Sequence, residues 1–255
     1  MKKRFDEALG QIFELQDHIA DLHPLLRQTF PVAIHSGNEL WLYRPEPSAR
    51  SFRHVGTGPV PFEFPQNIRA AFPLEELGWE CACIVSENAF DSLEGYIFVF
   101  HEFVHCYQYT TCEEKLKATL EVAKVSMERQ DAMWEIQYPF PYNSLAFIDV
   151  YKRQLEGDFS HRPKLRQELD GLEYEYLVWQ EWKEGFARWL ENRIRERLEL
   201  PKNKTGSEQP YNRVSFYAGG AALIKHLSMR TPTLTNDLGN LFRQIRDYPG
   251  WSPKR

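Results

Sequence analysis

Residues 79–110 read WECACIVSENAFDSLEGYIFVFHEFVHCYQYT, a short apolar run followed by a longer one. Trp79 to Val85 has the length and the mostly apolar character of a buried strand, and the polar Ser86-Glu87-Asn88 ends it. Asp91 or Ser92 then offers an N-cap, so a helix is expected from about Leu93 to Thr110. A small sheet ahead of helical periodicity predicts an α+β fold, with an N-terminal antiparallel or mixed sheet followed by a mostly helical part.

The helix carries His101-Glu102-Phe103-Val104-His105, the H-E-x-x-H pattern. Residues four apart on a helix are surface neighbours, so both imidazoles can reach one zinc ion. Glu102 beside them can take a proton from a water whose pKa the metal has lowered to about 7. With 8 histidines in 255 residues, a shuffled chain would carry the pattern roughly 0.03 times by chance. From Phe98 to Tyr107 the other residues are uncharged and no proline intervenes. Three polar groups on such a buried helix must be paired or ligated, because leaving them unpaired is costly. The plainer alternative is two core histidines and a helix-surface glutamate.

Upstream, Phe5, Leu9, Ile12, Phe13, Leu15, Ile19, Leu22 and Leu25 recur at helical spacing, which predicts an amphipathic helix from residue 4 to about 28. Val32 to Tyr43 reads as a hairpin turning at Ser36-Gly37-Asn38. Five prolines and two glycines in residues 44–65 predict an irregular crossing with at most short edge strands. Cys81 and Cys83 flank Ala82 and would point to one side of the sheet, as two small buried hydrophobes or as a soft-metal pair. Downstream, helices are expected near 113–131, 143–155, 162–169, 172–199, 211–229 and 234–246, with Pro201–Pro210 an exposed loop. The expected domains are residues 1–112, with the first helix, the sheet and the metal helix, and residues 113–255, the helical part with the third ligand. Together they form one catalytic unit.

The net charge of −5 and pI near 5.9, with basic residues interspersed among acidic ones, argue against a nucleic-acid partner or an anionic membrane surface. The N-terminus runs into charged residues rather than an apolar core, and no stretch approaches the 18 or so apolar residues of a membrane span, so a cytoplasmic location is expected. Four cysteines in 255 residues then read as reduced thiols. Oligomeric state is not legible.

A catalytic zinc needs a third protein ligand. The metzincin extension would require Gly at 108 and His at 111, where the chain has Gln108 and Thr111. Residues 182–191, Trp182-Lys183-Glu184-Gly185-Phe186-Ala187-Arg188-Trp189-Leu190-Glu191, resemble the glutamate-ligand helix of the gluzincins, a zincin-like family of zinc metallopeptidases. The likeness is to the N-E-G-F-A-x-x-x-x-E stretch of zinc aminopeptidases and the E-G-x-A-x-[YW] variant. The resemblance implies that Glu184 binds zinc with His101 and His105. Independently, Glu184 shares a helical stripe with Leu177, Ala187 and Ile194, which faces it inward, and Gly185 would let another backbone approach closely. A surface glutamate paired with Arg188 is the alternative, with Glu181 and Glu191 the nearest substitutes as ligand, then His161 or His226.

Tyr211 to Gly220 opens a further helix with Tyr217-Ala218-Gly219-Gly220. In the resembled family a tyrosine from this region hydrogen-bonds the oxyanion of the tetrahedral intermediate, a role open to Tyr217 or Tyr211. The chain departs from the aminopeptidases in the 78 residues between His105 and Glu184, in lacking a G-x-M-E-N strand, and in placing Arg188 where some relatives have an orienting aspartate. The resemblance thus implies a hydrolase with one Zn2+ per chain acting on a peptide or protein substrate. His101, His105 and Glu184 are the expected ligands, Glu102 the base and Tyr217 the oxyanion donor. The rival expectation is a non-catalytic zincin-like metal-binding sensor or protein-interaction module.

Overall fold

A computed structural model describes residues 1–248, which fall into two compact units. The first comprises Met1–Thr110 and Leu190–Lys202. Its leading helix α1 (Lys2–Ile19) buries Phe5, Leu9, Ile12, Phe13 and Ile19. It stops short of the expected residue 28. Pro24 opens a separate 3-10 turn, Pro24–Arg27, capped by the His23 side chain, because proline cannot donate to a continuing helix.

Five strands follow: β1 (Val32–Ser36), β2 (Glu39–Glu46), β3 (Ser51–Pro59), β4 (Arg69–Leu74) and β5 (Glu80–Ser86). They form one sheet in the order β3-β2-β1-β5-β4, parallel only between β1 and β5. The expected hairpin is β1–β2, turning through Gly37 at φ +62°. Residues 51–59 correct the expectation of an irregular crossing, since they pair with β2 along its whole length. The prolines are harmless there: Pro45 lies beyond the last β1 partner of β2, and Pro59 ends an edge strand. Trp79 is likewise outside the strand expected to begin with it, because Gly78 and Trp79 turn at φ +66° and +64° and leave the indole exposed.

The sheet register puts Val32, Ile34, Trp41, Tyr43, Cys81, Cys83 and Val85 on one face. Phe5 of α1 packs on that face, its ring 5.5 Å from Trp41. The other face carries Ala33, Leu40, Leu42, Ala82 and Ile84, closed over by Phe64, Ile68 and Leu77. Helix α2 (Leu93–Gln108) lies against β4 and β5, capped by Ser92, whose hydroxyl accepts from Gly95 N at 3.2 Å. Gly95 is required: a Cβ there would sit 1.8 Å from the Ala89 carbonyl oxygen.

The second unit comprises Thr111–Trp189 and, among the described residues, 203–248. After a π turn at Tyr109–Glu113 come α3 (Glu114–Lys117), α4 (Glu121–Glu128), α5 (Trp134–Gln137), α6 (Leu145–Leu155), α7 (Leu165–Glu168), α8 (Gly171–Arg197), α9 (Ser215–Arg230) and α10 (Leu238–Arg246). The single helix expected over 113–131 is broken near Thr119, whose hydroxyl donates to the Leu116 carbonyl at 2.6 Å and competes with the helical bond. Helix α9 starts at Ser215 rather than 211 because Asn212 Oδ1 accepts from Val214 N at 2.8 Å and holds a local turn.

Gly185 does admit a second backbone. A Cβ on it would lie 2.6 Å from Gly220 Cα, so α8 and α9 cross with main chains in contact. Trp134 and Phe140 are buried, and Phe140, Phe147, Tyr176 and Phe216 form an aromatic core with neighbouring ring centroids 5.0 to 6.1 Å apart. Deep in the same unit Arg162 pairs with Glu181, both essentially inaccessible, and Gln154 and Tyr151 donate to the same carboxylate.

Candidate metal centre

The central turns of α2 are buried, with His101, Glu102 and His105 only 4, 6 and 7 % exposed. Helical spacing brings the two imidazoles together with centroids 5.0 Å apart. Each ring is held through Nδ1. His101 Nδ1 lies 3.1 Å from Glu191 Oε2, and His105 Nδ1 lies 2.9 Å from Gln108 Oε1. An acceptor on Nδ1 fixes that nitrogen as the protonated one and presents Nε2 as the lone pair, the arrangement metal-binding histidines adopt.

Glu191 is itself anchored. Arg195 donates from Nε to its Oε1 at 3.0 Å and from Nη1 to Glu94 Oε1 at 3.0 Å. Burial pulls the Arg195 pKa down, but its bonds to Glu94 and Glu191 more than offset this and hold it above the ordinary value. The chain Glu94–Arg195–Glu191–His101 therefore ties the first turn of α2 to the last turns of α8.

Glu102 lies within electrostatic reach of Arg69 on β4 and Cys83 on β5. Burial pushes the Cys83 thiol well up, and Glu102 pushes it further. Cys81 and Cys83 share the sheet face as expected, and burial likewise raises the Cys106 thiol, which is bonded to Cys81. All three are free, buried thiols.

Glu184 sits on α8 seven residues, two helical turns, before Glu191, hence on the same helical face. Leu177, Ala187 and Ile194 of its stripe are buried, and its own side chain is 13 % exposed. Its Oε1 accepts from Arg213 Nη1 at 3.4 Å. Arg188, the partner considered for it, donates to the carbonyls of Thr205 at 3.1 Å and Asn203 at 3.5 Å. One donor atom each from His101, His105 and Glu184 falls within 4.8 Å of the others, the one such group of three among the described residues. Two imidazoles and a carboxylate are a donor set suited to catalytic zinc.

The substitutes have other work. Glu181 is taken by Arg162, Gln154 and Tyr151, Glu191 by His101 and Arg195. His226 stacks on Phe159 at 4.4 Å and bonds the Tyr248 hydroxyl, while His161 leaves a buried Nδ1 with no partner. Of the two tyrosines, Tyr211 is buried against Phe147 and Tyr151, and burial raises its phenol pKa. Tyr217 is half-buried, with Arg213 and Arg188 5.3 and 5.4 Å from its ring centre. Arg213 thus bridges Tyr217 to Glu184.

Gln108, Glu191, Arg195 and Arg213 were not given these roles by the motifs. Two had a periodic signal: Gln108 is i+3 from His105, and Glu191 is i+7 from Glu184. Comparison with protein-family models, curated proteins and solved structures gives no match.

Proposed function

We propose that the chain is a zinc-dependent hydrolase of the gluzincin type, a metallopeptidase, with His101, His105 and Glu184 as ligands. The observation that carries this reading is the pair of Nδ1 contacts, Glu191 on His101 and Gln108 on His105, which assign Nε2 of each ring as the nitrogen that would ligate. Buried histidines that merely pack would gain as much from donating to any carbonyl.

When bound, zinc would lower the pKa of a water to about 7 and polarise a substrate carbonyl. The chain's own residues do the rest. Glu102, adjacent to His101, is the group to accept the water's proton and deliver it to the leaving amine. Glu191 and Gln108 hold the imidazoles in one tautomer, a support whose loss typically costs about 10- to 100-fold in metal affinity. Arg213 holds Glu184 through Oε1, and the Glu184 carboxylate would be the third ligand. The Tyr217 hydroxyl donates to the developing oxyanion, a contribution of about 3 kcal/mol where such donors have been removed.

Strand β4 supports a peptide substrate. It is a sheet edge packed against α2, and an extended chain could add to it through main-chain hydrogen bonds. The test is Glu102→Gln, expected to keep its zinc and lose nearly all peptide hydrolysis. Turnover that survives the substitution would overturn the mechanism.

A further inference from the structure

The two histidines of α2 are supported unlike each other. His105 leans on Gln108, three residues on in the same helix, so the helix itself sets that contact. His101 leans on Glu191 of another helix, and its 3.1 Å contact depends on how the end of α8 is registered along α2. The residues that fix this register, Glu94, Arg195 and Pro201, belong with His101 and Glu191 to the first unit.

His101 follows Glu94 by seven residues, two turns, and Arg195 follows Glu191 by four, one turn. Two rungs therefore run between the helices, Glu94–Arg195 and His101–Glu191. A brace joins them, since Arg195 Nε donates to Glu191 Oε1 at 3.0 Å. The same guanidinium grips Glu94 as a bidentate fork, Nη1 to Oε1 at 3.0 Å and Nη2 to Oε2, and Nη1 also donates to the Pro201 carbonyl at 3.2 Å. A planar group held on three sides cannot turn without breaking charge-assisted bonds. Glu191 has one oxygen committed to Arg195 and the other to His101. Its side chain is inaccessible and that of Arg195 is 8 % exposed, so bulk water competes little for their bond. Glu94, at the outer end, is half-exposed, and its carboxylate is spent on Arg195.

We propose that Arg195 and Glu94 are positioning residues of the metal centre, which act through Glu191 to hold the His101 ring. A half-exposed carboxylate two turns from the ligand thereby contributes to metal affinity. This rests on His101 as a zinc ligand. An ion pair that served the fold alone would leave metal affinity unchanged when it was removed.

Zinc affinity, by competition with a chelating dye, and the visible spectrum of the cobalt-substituted protein are measured for wild type, Glu94→Ala, Arg195→Met, Glu191→Gln and the double variant Glu94→Ala/Glu191→Gln. Arg195→Met should weaken zinc by about tenfold or more and Glu94→Ala by at least about threefold, each with an altered cobalt band. With Glu191 already replaced, Glu94→Ala should change the affinity by less than about twofold, because its path to His101 is gone. Glu94 is half-exposed, so its removal leaves the chain folded and decides the matter even where Arg195→Met does not fold. Wild-type affinity and spectrum in Glu94→Ala, or an equal loss from Glu94→Ala with and without Glu191, would overturn the proposal. A wild-type protein that takes up neither zinc nor cobalt would remove the metal reading itself and this proposal with it, whereas a wild type that binds metal beside unaltered variants refutes the proposal alone.

Discussion

Glu191 Oε2 stands 3.1 Å from His101 Nδ1, and Arg195 holds the other oxygen of the same carboxylate at 3.0 Å. A buried carboxylate placed between an imidazole and a guanidinium orients the ring and raises its basicity toward a metal.

Replacing Glu191 with Gln should preserve packing while weakening that support. Zinc affinity, measured by competition with a chelating dye, is expected to fall by about 10- to 100-fold. An unchanged affinity would mean that Glu191 serves the fold alone.

Gln108 supports His105 in the same way at 2.9 Å. Gln108→Leu should also lower zinc affinity, by a similar factor, and the double variant should lose more than either single change. A double variant no weaker than one single variant would show that the two contacts act as a single unit.

The Arg162–Glu181 pair carries a different expectation. Both side chains are fully buried, so Arg162→Met leaves an interior carboxylate without its counter-charge and should cost about 3 to 5 kcal/mol in denaturant unfolding. A loss below about 1 kcal/mol would imply that water or a rearranged partner reaches Glu181.

Stability should also fall in acid through Glu135. Its burial raises the pKa, but Lys183 and Lys117 outweigh that and hold it down to about 2. A depressed folded pKa means stability that is present above the ordinary carboxylate value and lost as pH falls from about 4.5 toward 2. Comparing wild type with Glu135→Gln across that window should show a shallower acid limb in the variant. Parallel curves would contradict the assignment.

How much of this was legible beforehand depends on whether the signal was local. The β1–β2 hairpin, the strand before α2 and the Ser92 cap follow from alternation, a turn and a capping side chain, all readable within a few residues. The close approach at Gly185 follows from a single missing Cβ. Strand β3 was hidden because Pro45 of β2 and Pro59 of β3 fall where no ladder bond is needed, which depends on which strand lies alongside. Within the site, His101, His105 and Glu102 follow from motif spacing, and Glu184 from the resemblance of residues 182–191 to a glutamate-ligand helix. The residues that steady them, Glu191 and Gln108, have no motif, since an acceptor for Nδ1 can come from any element that packs nearby.

Zinc content of the purified protein, measured beside His101→Ala, Glu184→Ala and Glu102→Gln, tests the central claim most directly. The account predicts about one zinc per chain in wild type and in Glu102→Gln, with metal lost from the other two. A wild-type protein that stays metal-free when zinc is supplied, or a Glu184→Ala protein that keeps its full complement, would contradict it.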